Sequence, residues 1–191
     1  MIHGGAAALG DGGVLVVGPS GAGKSTTVLA ILAAGGRSAG DDYVLVGGNP
    51  LPVAYSVYGA MRLVEDHRSR FPFLMPRPDL VTPSRDGAAK LTSYVSVHNP
   101  AAMVSRLPIT AIVMPRPRPG GRTRARREGG ARALFALAPN TLRQLNPQDR
   151  AAFSRMASLC RALPCWSLDL GDDLGSLPGV VEAIVAQSGQ A

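Results

Sequence analysis

The feature that most constrains this chain is a glycine-rich segment set between an apolar run and a helical pattern. The segment reads Gly18-Pro19-Ser20-Gly21-Ala22-Gly23-Lys24-Ser25. Before it, Val14 to Val17 form a continuous apolar run, typical of a strand buried on both faces. After it, residues 25–34 carry apolar side chains at helical spacing and end at Gly35-Gly36. Strand, loop and helix in this order predict the first unit of an α/β fold.

The residue types of this segment suit a chain of phosphates. Glycines let successive backbone N–H groups converge on anionic oxygens, and the following helix N-terminus adds partial positive charge. Lys24 should reach the β- and γ-phosphates, and the Ser25 hydroxyl should ligate Mg²⁺. We therefore predict that ATP with Mg²⁺ binds to a set of nine residues: Gly18, Pro19, Ser20, Gly21, Ala22, Gly23, Lys24, Ser25 and Thr26.

Two adjacent carboxylates follow at Gly40-Asp41-Asp42, and Asp41 lies sixteen residues beyond Ser25. A ten-residue helix and one short strand would return the chain to the carboxyl edge of the sheet, where the phosphate loop also lies. Two carboxylates at that edge could divide the roles of general base and Mg²⁺ ligand. A solvated Asp-Asp turn with a capping role is the alternative interpretation.

Two motifs that would identify other phosphate-loop proteins are missing from the sequence. There is no Leu-Ser-Gly-Gly-Gln segment, which argues against a transporter ATPase, and no Asn-Lys-x-Asp segment, which argues against a GTPase. The motor-type pattern of four apolar residues ending in aspartate is also missing.

The positive charge is concentrated in one segment. Seven arginines lie between Arg116 and Arg132 against the single acid Glu128, so that segment carries six of the seven net positive charges. Its proline and glycine content predicts a loop over residues 116–132. Such a loop either contributes to the site or is simply solvated, and because few aromatic residues interleave it we do not expect nucleic-acid binding.

The bulk composition predicts a globular protein. With 191 residues, 46% hydrophobic and 17% charged, the chain is expected to form one domain over residues 1–191. No apolar run is long enough for a bilayer and no signal peptide is evident, so we expect no membrane association and a cytoplasmic location. Cys160 and Cys165 are expected to be buried small hydrophobes, not metal ligands.

Further elements are predicted from periodicity. Strands are expected over residues 43–46, 54–58, 62–64 and 91–97, with a central strand over residues 109–114. Residues 147–187 should form a helix, a strand and a second helix, opened by an Asn146-Pro147 cap. The first of these helices should bury Phe153, Met156, Leu159, Cys160 and Leu163.

His3, the phosphate loop and Gly40-Asp41-Asp42, at this spacing, resemble the catalytic domain of the HPr serine kinase/phosphorylase family. The resemblance is close over residues 2–46, about a quarter of the chain, and looser from Ile109 to Arg122. It implies a P-loop-containing α/β fold with a mixed sheet, a core which that family shares with phosphoenolpyruvate carboxykinases. Thr26 departs from the glutamate usual in the family, and neither the family's amino-terminal domain nor its signature for the reverse reaction is found.

The resemblance also implies residue roles. Asp41 would be the base that accepts the proton of a substrate serine hydroxyl, and Asp42 with Ser25 would hold Mg²⁺. His3 would lie beside the carboxylates and the phosphate, and Lys24 would act on the phosphates. Arg118 and Arg122 would close over the transferring phosphoryl group or bind an acidic substrate.

The function implied is an ATP- and Mg²⁺-dependent serine kinase acting on a peptide or protein. Short members of this kind resemble kinases of lasso-peptide pathways, which implies the C-terminal serine of a precursor peptide as acceptor. A small-molecule kinase, an HPr serine kinase and a nucleotide-binding regulatory or nucleic-acid module are the alternatives. A homo-oligomer stays open, as do the roles of Tyr58, Arg62, Glu65 and Lys90.

Overall fold

The computed structural model describes residues 1–48, 50–71, 79–83, 89–145, 149 and 151–189. Within these ranges the chain has a mixed α/β fold. The strands are β1 (Ile2–His3), β2 (Gly5–Ala8), β3 (Gly13–Val16), β4 (Arg37–Gly40), β5 (Tyr43–Gly47), β6 (Val53–Ser56), β7 (Ala60–Val64), β8 (Leu80–Pro83), β9 (Ala89–Tyr94), β10 (Arg106–Pro117), β11 (Arg124–Glu128) and β12 (Cys165–Leu170). The helices are α1 (Lys24–Ala33), α2 (Val95–His98), α3 (Gly130–Leu142), α4 (Ala151–Ala162) and α5 (Leu177–Ser188), with short 3-10 turns at Glu65–Arg70, Pro100–Ala102 and Leu174–Ser176.

Strand β10 organises the main sheet. Its first residues pair antiparallel with β6, its middle pairs parallel with β3, and its last residues pair parallel with β12. Strands β2 and β4 extend the sheet beyond β3, and β5 and β1 extend it beyond β6. Strands β7, β9 and β8 form a separate antiparallel sheet.

Four strands end at the same edge of the main sheet. Because β3 and β4 are both antiparallel to β2, they run in the same direction, and β10 and β12 run parallel to β3. The segments that follow these strands therefore meet: the phosphate loop, Asp41-Asp42, residues 118–123 and residues 171–174. In α/β sheets this carboxyl edge is where ligands bind.

Helices cover both faces of the sheet. On one face Val14 and Val16 of β3 pack in a cluster with residues of α1 and α5. On the other, Leu15 and Val17 belong to a cluster with residues of α3 and α4. This alternation explains why the run preceding the phosphate loop is apolar at every position, as predicted.

The predicted loop over residues 116–132 is wrong. The end of β10, all of β11 and the start of α3 occupy that range, and only residues 118–123 form a turn. β11 forms because its five residues pair antiparallel with β12 from Arg124↔Asp169 to Glu128↔Cys165. Asp169 and Glu128 also form ion pairs with the arginines, which reduces the repulsion between the arginine side chains.

Other predictions hold with local differences. The structure confirms α1, the strand over 109–114, β12 and the final helix. Gly35, which follows the end of α1, has a φ of 85°. The strand predicted over residues 91–97 ends at Tyr94, where α2 begins. Of the five residues predicted to be buried on α4, Met156 and Cys160 are buried. Leu159 is only partly buried, Phe153 is half exposed, and Leu163 is partly buried and lies beyond the end of the helix. The Asn146-Pro147 cap lies outside the described residues.

Both cysteines are buried and free, as expected. None of the helices in the described ranges has the length and apolar character that crossing a membrane requires. The single-domain organisation stays a prediction.

Candidate active site

The phosphate loop connects β3 to α1, and its glycines are required by backbone geometry. Gly23, directly before α1, has a φ of 96°, and a Cβ there would collide with Leu170 of β12. Gly21 has a φ of 78° and open space around it. No side chain caps α1 and its first turn contains no acidic residue, so its first N–H groups are available to an anion.

Lys24 is held against the loop itself. Its Nζ donates to the carbonyl oxygen of Gly18 at 3.0 Å and to that of Pro19 at 3.1 Å. Burial lowers the pKa of Lys24, while the charges of Asp41 and Asp42 oppose that shift. Because the hydrogen bonds of this buried ammonium group go only to neutral carbonyl oxygens, the site favours the binding of an anion.

Asp41 follows β4 and is 1% exposed. Its Oδ2 accepts the backbone N–H of Arg62 at 3.1 Å, whereas its buried Oδ1 has no hydrogen bond of normal geometry to the described residues. Burial raises the pKa of Asp41 from 3.8 to about 6, against the opposing effects of the Arg62 N–H and the nearby Ser25 side chain. Asp41 is thus a carboxylate poised near neutrality with one free oxygen, which suits proton transfer.

Asp42 is partly exposed and collects polar neighbours. Tyr58 donates its hydroxyl to Oδ2 at 3.4 Å, Arg62 lies 3.7 Å from the same oxygen, and His3 Nδ1 lies 3.6 Å from Oδ1. These are long contacts, so the carboxylate keeps acceptor capacity for another ligand.

His3 lies in the cleft beside Asp42. Its ring meets Tyr43 edge-on with centroids 5.1 Å apart, and its backbone N–H donates to Thr141 at 3.2 Å. Burial, and next the charge of Lys24, lower the pKa of His3, although Asp42 opposes the shift. The lowered pKa favours the neutral form of the His3 ring.

A cleft of about 480 Å³ opens over these groups. Its walls include several of the predicted residues: His3, Ser20, Gly21, Gly23, Lys24, Ser25, Thr26, Asp42 and Arg118. Asp41 lies beneath this surface. Gly18 and Pro19 contribute through the carbonyls that bind Lys24. Ala22 faces a smaller cavity on the other side of the loop, and Arg122 lines neither space.

Three cations of the cleft were not assigned from the sequence. Arg62, Arg70 and Lys90 come from the region of the separate three-stranded sheet and face the phosphate loop across the cleft. Lys90 was recognisable as the second of two lysines in the chain, but no motif placed it. With Lys24 and Arg118 these residues give the cleft five cationic groups, which suits a polyanion.

The oxygen groups present fit Mg²⁺. Ser25 supplies a hydroxyl and Asp42 a carboxylate at the same cleft, and both are hard oxygen ligands. Among the described residues no cluster of three or more His, Cys, Asp or Glu side chains could hold a metal by itself. Mg²⁺ takes one or two protein ligands and completes its shell with phosphates and water.

Another cavity lies elsewhere among the residues that the structure describes. About 590 Å³ in volume, it lies between α4 and the segment joining β5 to β6, and neither the phosphate loop nor the two carboxylates line it. Its charged residues, Asp149 and Arg155, pair with each other. The smaller cleft is therefore the candidate active site, because the perturbed carboxylate and the anion-binding groups converge there.

Comparisons with known proteins find similarity among solved structures. No protein-family profile matches the chain, and no curated protein matches it either. Among solved structures, the chain is similar to the Hpr(Ser) kinase/phosphatase from Coxiella burnetii, with 12% sequence identity and a TM-score of 0.48. That likeness covers 98% of this chain and 94% of the other.

Proposed function

We propose that this protein is an ATP- and Mg²⁺-dependent kinase that phosphorylates a serine hydroxyl of a peptide or protein. The observation that carries the proposal is Asp41, a buried carboxylate with a pKa of about 6 and a free Oδ1, set beside the phosphate loop. A buried carboxylate at this place would accept the proton of the attacking hydroxyl, and the sequence resemblance implies that this hydroxyl belongs to a serine.

The residues divide the reaction as follows. The acceptor oxygen bonds to the γ-phosphorus of ATP, the bond from that phosphorus to the β–γ bridging oxygen breaks, and the acceptor proton passes to Asp41. Lys24 exchanges its loop carbonyls for phosphate oxygens, and the N–H groups of α1 hold the phosphate chain. Mg²⁺ bound by Ser25 and Asp42 would neutralise the developing charge.

The cations on the far wall serve the transferring group. Arg62 fixes Asp41 through its N–H and lies beside Asp42 through its guanidinium, so it links base and metal ligand. Lys90 and Arg70 line the same cleft and can meet the phosphoryl oxygens. His3 lies beside Asp42, with its Nδ1 3.6 Å from the Asp42 Oδ1.

For the acceptor we favour the C-terminal serine of a lasso-type precursor peptide, on the strength of the sequence resemblance. A small-molecule kinase and an HPr serine kinase would use the same groups. A cytoplasmic location belongs to the same proposal.

The test is transfer of label from γ-labelled ATP to a synthetic peptide ending in serine, with the same peptide ending in alanine as control. We expect Asp41→Asn to lower transfer by about 100-fold or more while nucleotide binding persists. The matched control is Asp11→Asn, which changes an exposed aspartate and should transfer normally. Full transfer by Asp41→Asn would contradict the role of the base, and label recovered only in a metabolite would favour the small-molecule kinase.

A further inference from the structure

Strand β11 and its surroundings have no part in the chemistry above. We define the arginine edge as the exposed cations on and beside this strand: Arg122, Arg124, Arg126, Arg127 and Arg132. We propose that the arginine edge docks an acidic, extended segment of the acceptor polypeptide, which adds to β11 as a further strand. This inference rests on the proposed function only in taking the acceptor to be a polypeptide.

The first observation is an open sheet edge. Among the described strands, β11 pairs with β12 alone, from Arg124↔Asp169 to Glu128↔Cys165. The side of β11 away from β12 therefore presents unpaired backbone N–H and C=O groups to solvent. An extended peptide can pair with such an edge, and main-chain hydrogen bonds then supply affinity.

The second observation is an excess of cationic donors. Asp169 is shared by three arginines, since Arg116 bonds it closely, Arg124 lies 3.4 Å away and Arg118 3.7 Å away. Glu128 is shared by Arg126 at 3.0 Å and Arg132 at 3.8 Å.

The donors outnumber the acceptors because each guanidinium carries five N–H groups and each carboxylate accepts about four hydrogen bonds. The side chain of Arg124 is 79% exposed and that of Arg126 65% exposed. The arginine edge is thus held in place by two acids and still has unused donors for further carboxylates.

The arrangement of these cations suits a strand better than a nucleic acid. Side chains alternate along β11, so Arg124 and Arg126 lie on one face, while Arg127 lies on the other, over the Trp166 ring at 5.2 Å. Cations would flank an added strand on both faces. A nucleic acid would use the cations but would leave the strand pairing of the edge unused, and β11 has no aromatic residue on which bases could stack.

The charge of the edge also selects its partner. Arginines on an open edge repel basic strands and penalise the burial of neutral ones, including β11 of another copy. An acidic strand is attracted instead, so the same residues prevent self-association and permit docking.

The edge begins at the rim of the candidate active site. Thr123, directly before β11, accepts the backbone N–H of Gly171 at 3.2 Å, and Gly171 lines the cleft. A segment docked along β11 that continues past Arg124 therefore reaches the cleft. Docking outside the chemical site is expected to act on KM and to leave kcat nearly unchanged.

The experiment measures binding without nucleotide. The probe is a fluorescein-labelled peptide that alternates glutamate with valine and threonine, followed by anisotropy with the whole protein at moderate salt. The test variant is Arg122→Glu with Arg126→Glu, which leaves the contacts to Asp169 intact. We expect its affinity for the probe to fall at least about tenfold.

Three controls make the result decisive. Arg143→Glu with Arg161→Glu changes the net charge equally at two exposed positions, one directly after α3 and one on α4, and should bind the probe normally. Arg122→Gln with Arg126→Gln covers the case in which the charge-reversed variant fails to fold. A probe N-methylated at alternate residues keeps its charge but loses half its strand pairing, and should bind about tenfold more weakly.

The outcomes separate this proposal from its rivals. Equal loss in both charge-reversed pairs, or undiminished binding of the N-methylated probe, overturns strand addition at β11. Tighter binding of a mixed-sequence single-stranded oligonucleotide than of the acidic probe overturns it in favour of nucleic acid. Because no phosphoryl transfer is measured, failure here leaves the kinase proposal intact, and an inactive kinase would leave the docking result standing.

Discussion

The phosphate loop and the arginine segment are both rich in glycine or proline, yet only the first has a structure that its residue types dictate. In the loop, each unusual residue answers a local demand: Gly23 adopts a positive φ directly before α1, and Lys24 donates hydrogen bonds to the carbonyl oxygens of Gly18 and Pro19. In the arginine segment, strand β11 exists because β12 lies beside it and Asp169 neutralises it. Local patterns report local constraints, and they miss structure that a distant strand imposes.

Replacing a glycine by alanine should have a much larger effect in the phosphate loop than in the arginine segment. Gly23→Ala should abolish measurable nucleotide binding, because a Cβ at a φ of 96° would also collide with Leu170. Gly120→Ala, in the turn before β11, has a φ of 74° but open space, and should cost only about 1 kcal/mol in stability. Calorimetric titration with ATP and thermal unfolding measure the two effects. Intact nucleotide binding by Gly23→Ala would show that the loop tolerates rearrangement.

The pH dependence of transfer should identify the base. Because burial raises the pKa of Asp41 to about 6, its ionised form is lost as pH falls through 6. Below pH 6, kcat should therefore fall about tenfold per pH unit. A profile that stays flat down to pH 5 would exclude Asp41 as the titrating base.

The raised pKa of Asp41 also predicts how this residue affects stability. The ionised form of an ion-paired aspartate usually stabilises the fold, whereas ionised Asp41 should destabilise it. A folded-state pKa above 3.8 means that the folded protein binds the proton more tightly, so Asp41 destabilises the fold increasingly from pH 4 to 6 and fully above it. Asp41→Asn should then raise the free energy of unfolding at pH 7.5 by about 1–3 kcal/mol. Denaturant unfolding at pH 7.5 and pH 4 checks this, since the gain should vanish at the lower pH.

Substitution of Asp169 tests whether β11, in the arginine segment, depends on its ion pairs. The hydrogen bond from Arg116 lowers the pKa of Asp169, so its stabilising effect is present above the unfolded value near 4 and is lost as pH falls through the lower folded value. Asp169→Asn should cost about 1–2 kcal/mol at pH 7, because three arginines lose their shared partner. The matched variant Asp149→Asn removes an exposed pair with Arg155 and should cost less than about 1 kcal/mol. Equal effects would mean that β11 does not depend on Asp169.

The smallest expected effect concerns two arginines that the sequence treats alike. Arg118 lines the cleft, so Arg118→Ala should weaken ATP binding about three- to tenfold. Arg122 lies in the same turn but does not line the cleft, so Arg122→Ala should change ATP binding less than twofold. Nucleotide titration of both variants decides, and a large loss at Arg122 would mean that the turn closes over the nucleotide.

The sequence predicts the parts of this molecule that are built from neighbours in the chain. The loop between β3 and α1, the short strand to Asp41-Asp42 and the alternation of Trp166, Leu168 and Leu170 all follow from local periodicity. The side chains of Arg62 and Lys90 could not be placed, because their position depends on how β7 and β9 pair and on how that sheet faces the loop. The position of a side chain relative to a second sheet depends on tertiary packing, and tertiary packing produces no periodic pattern in the sequence.

The two buried cysteines have a practical consequence. Burial raises the pKa of the Cys160 thiol to about 12 and also raises that of Cys165, so neither is reactive towards thiol-directed dyes near neutral pH. The chain has no other cysteine. The substitution Arg122→Cys would therefore accept one fluorophore without any background substitution, and its emission would report on peptide binding at the arginine edge.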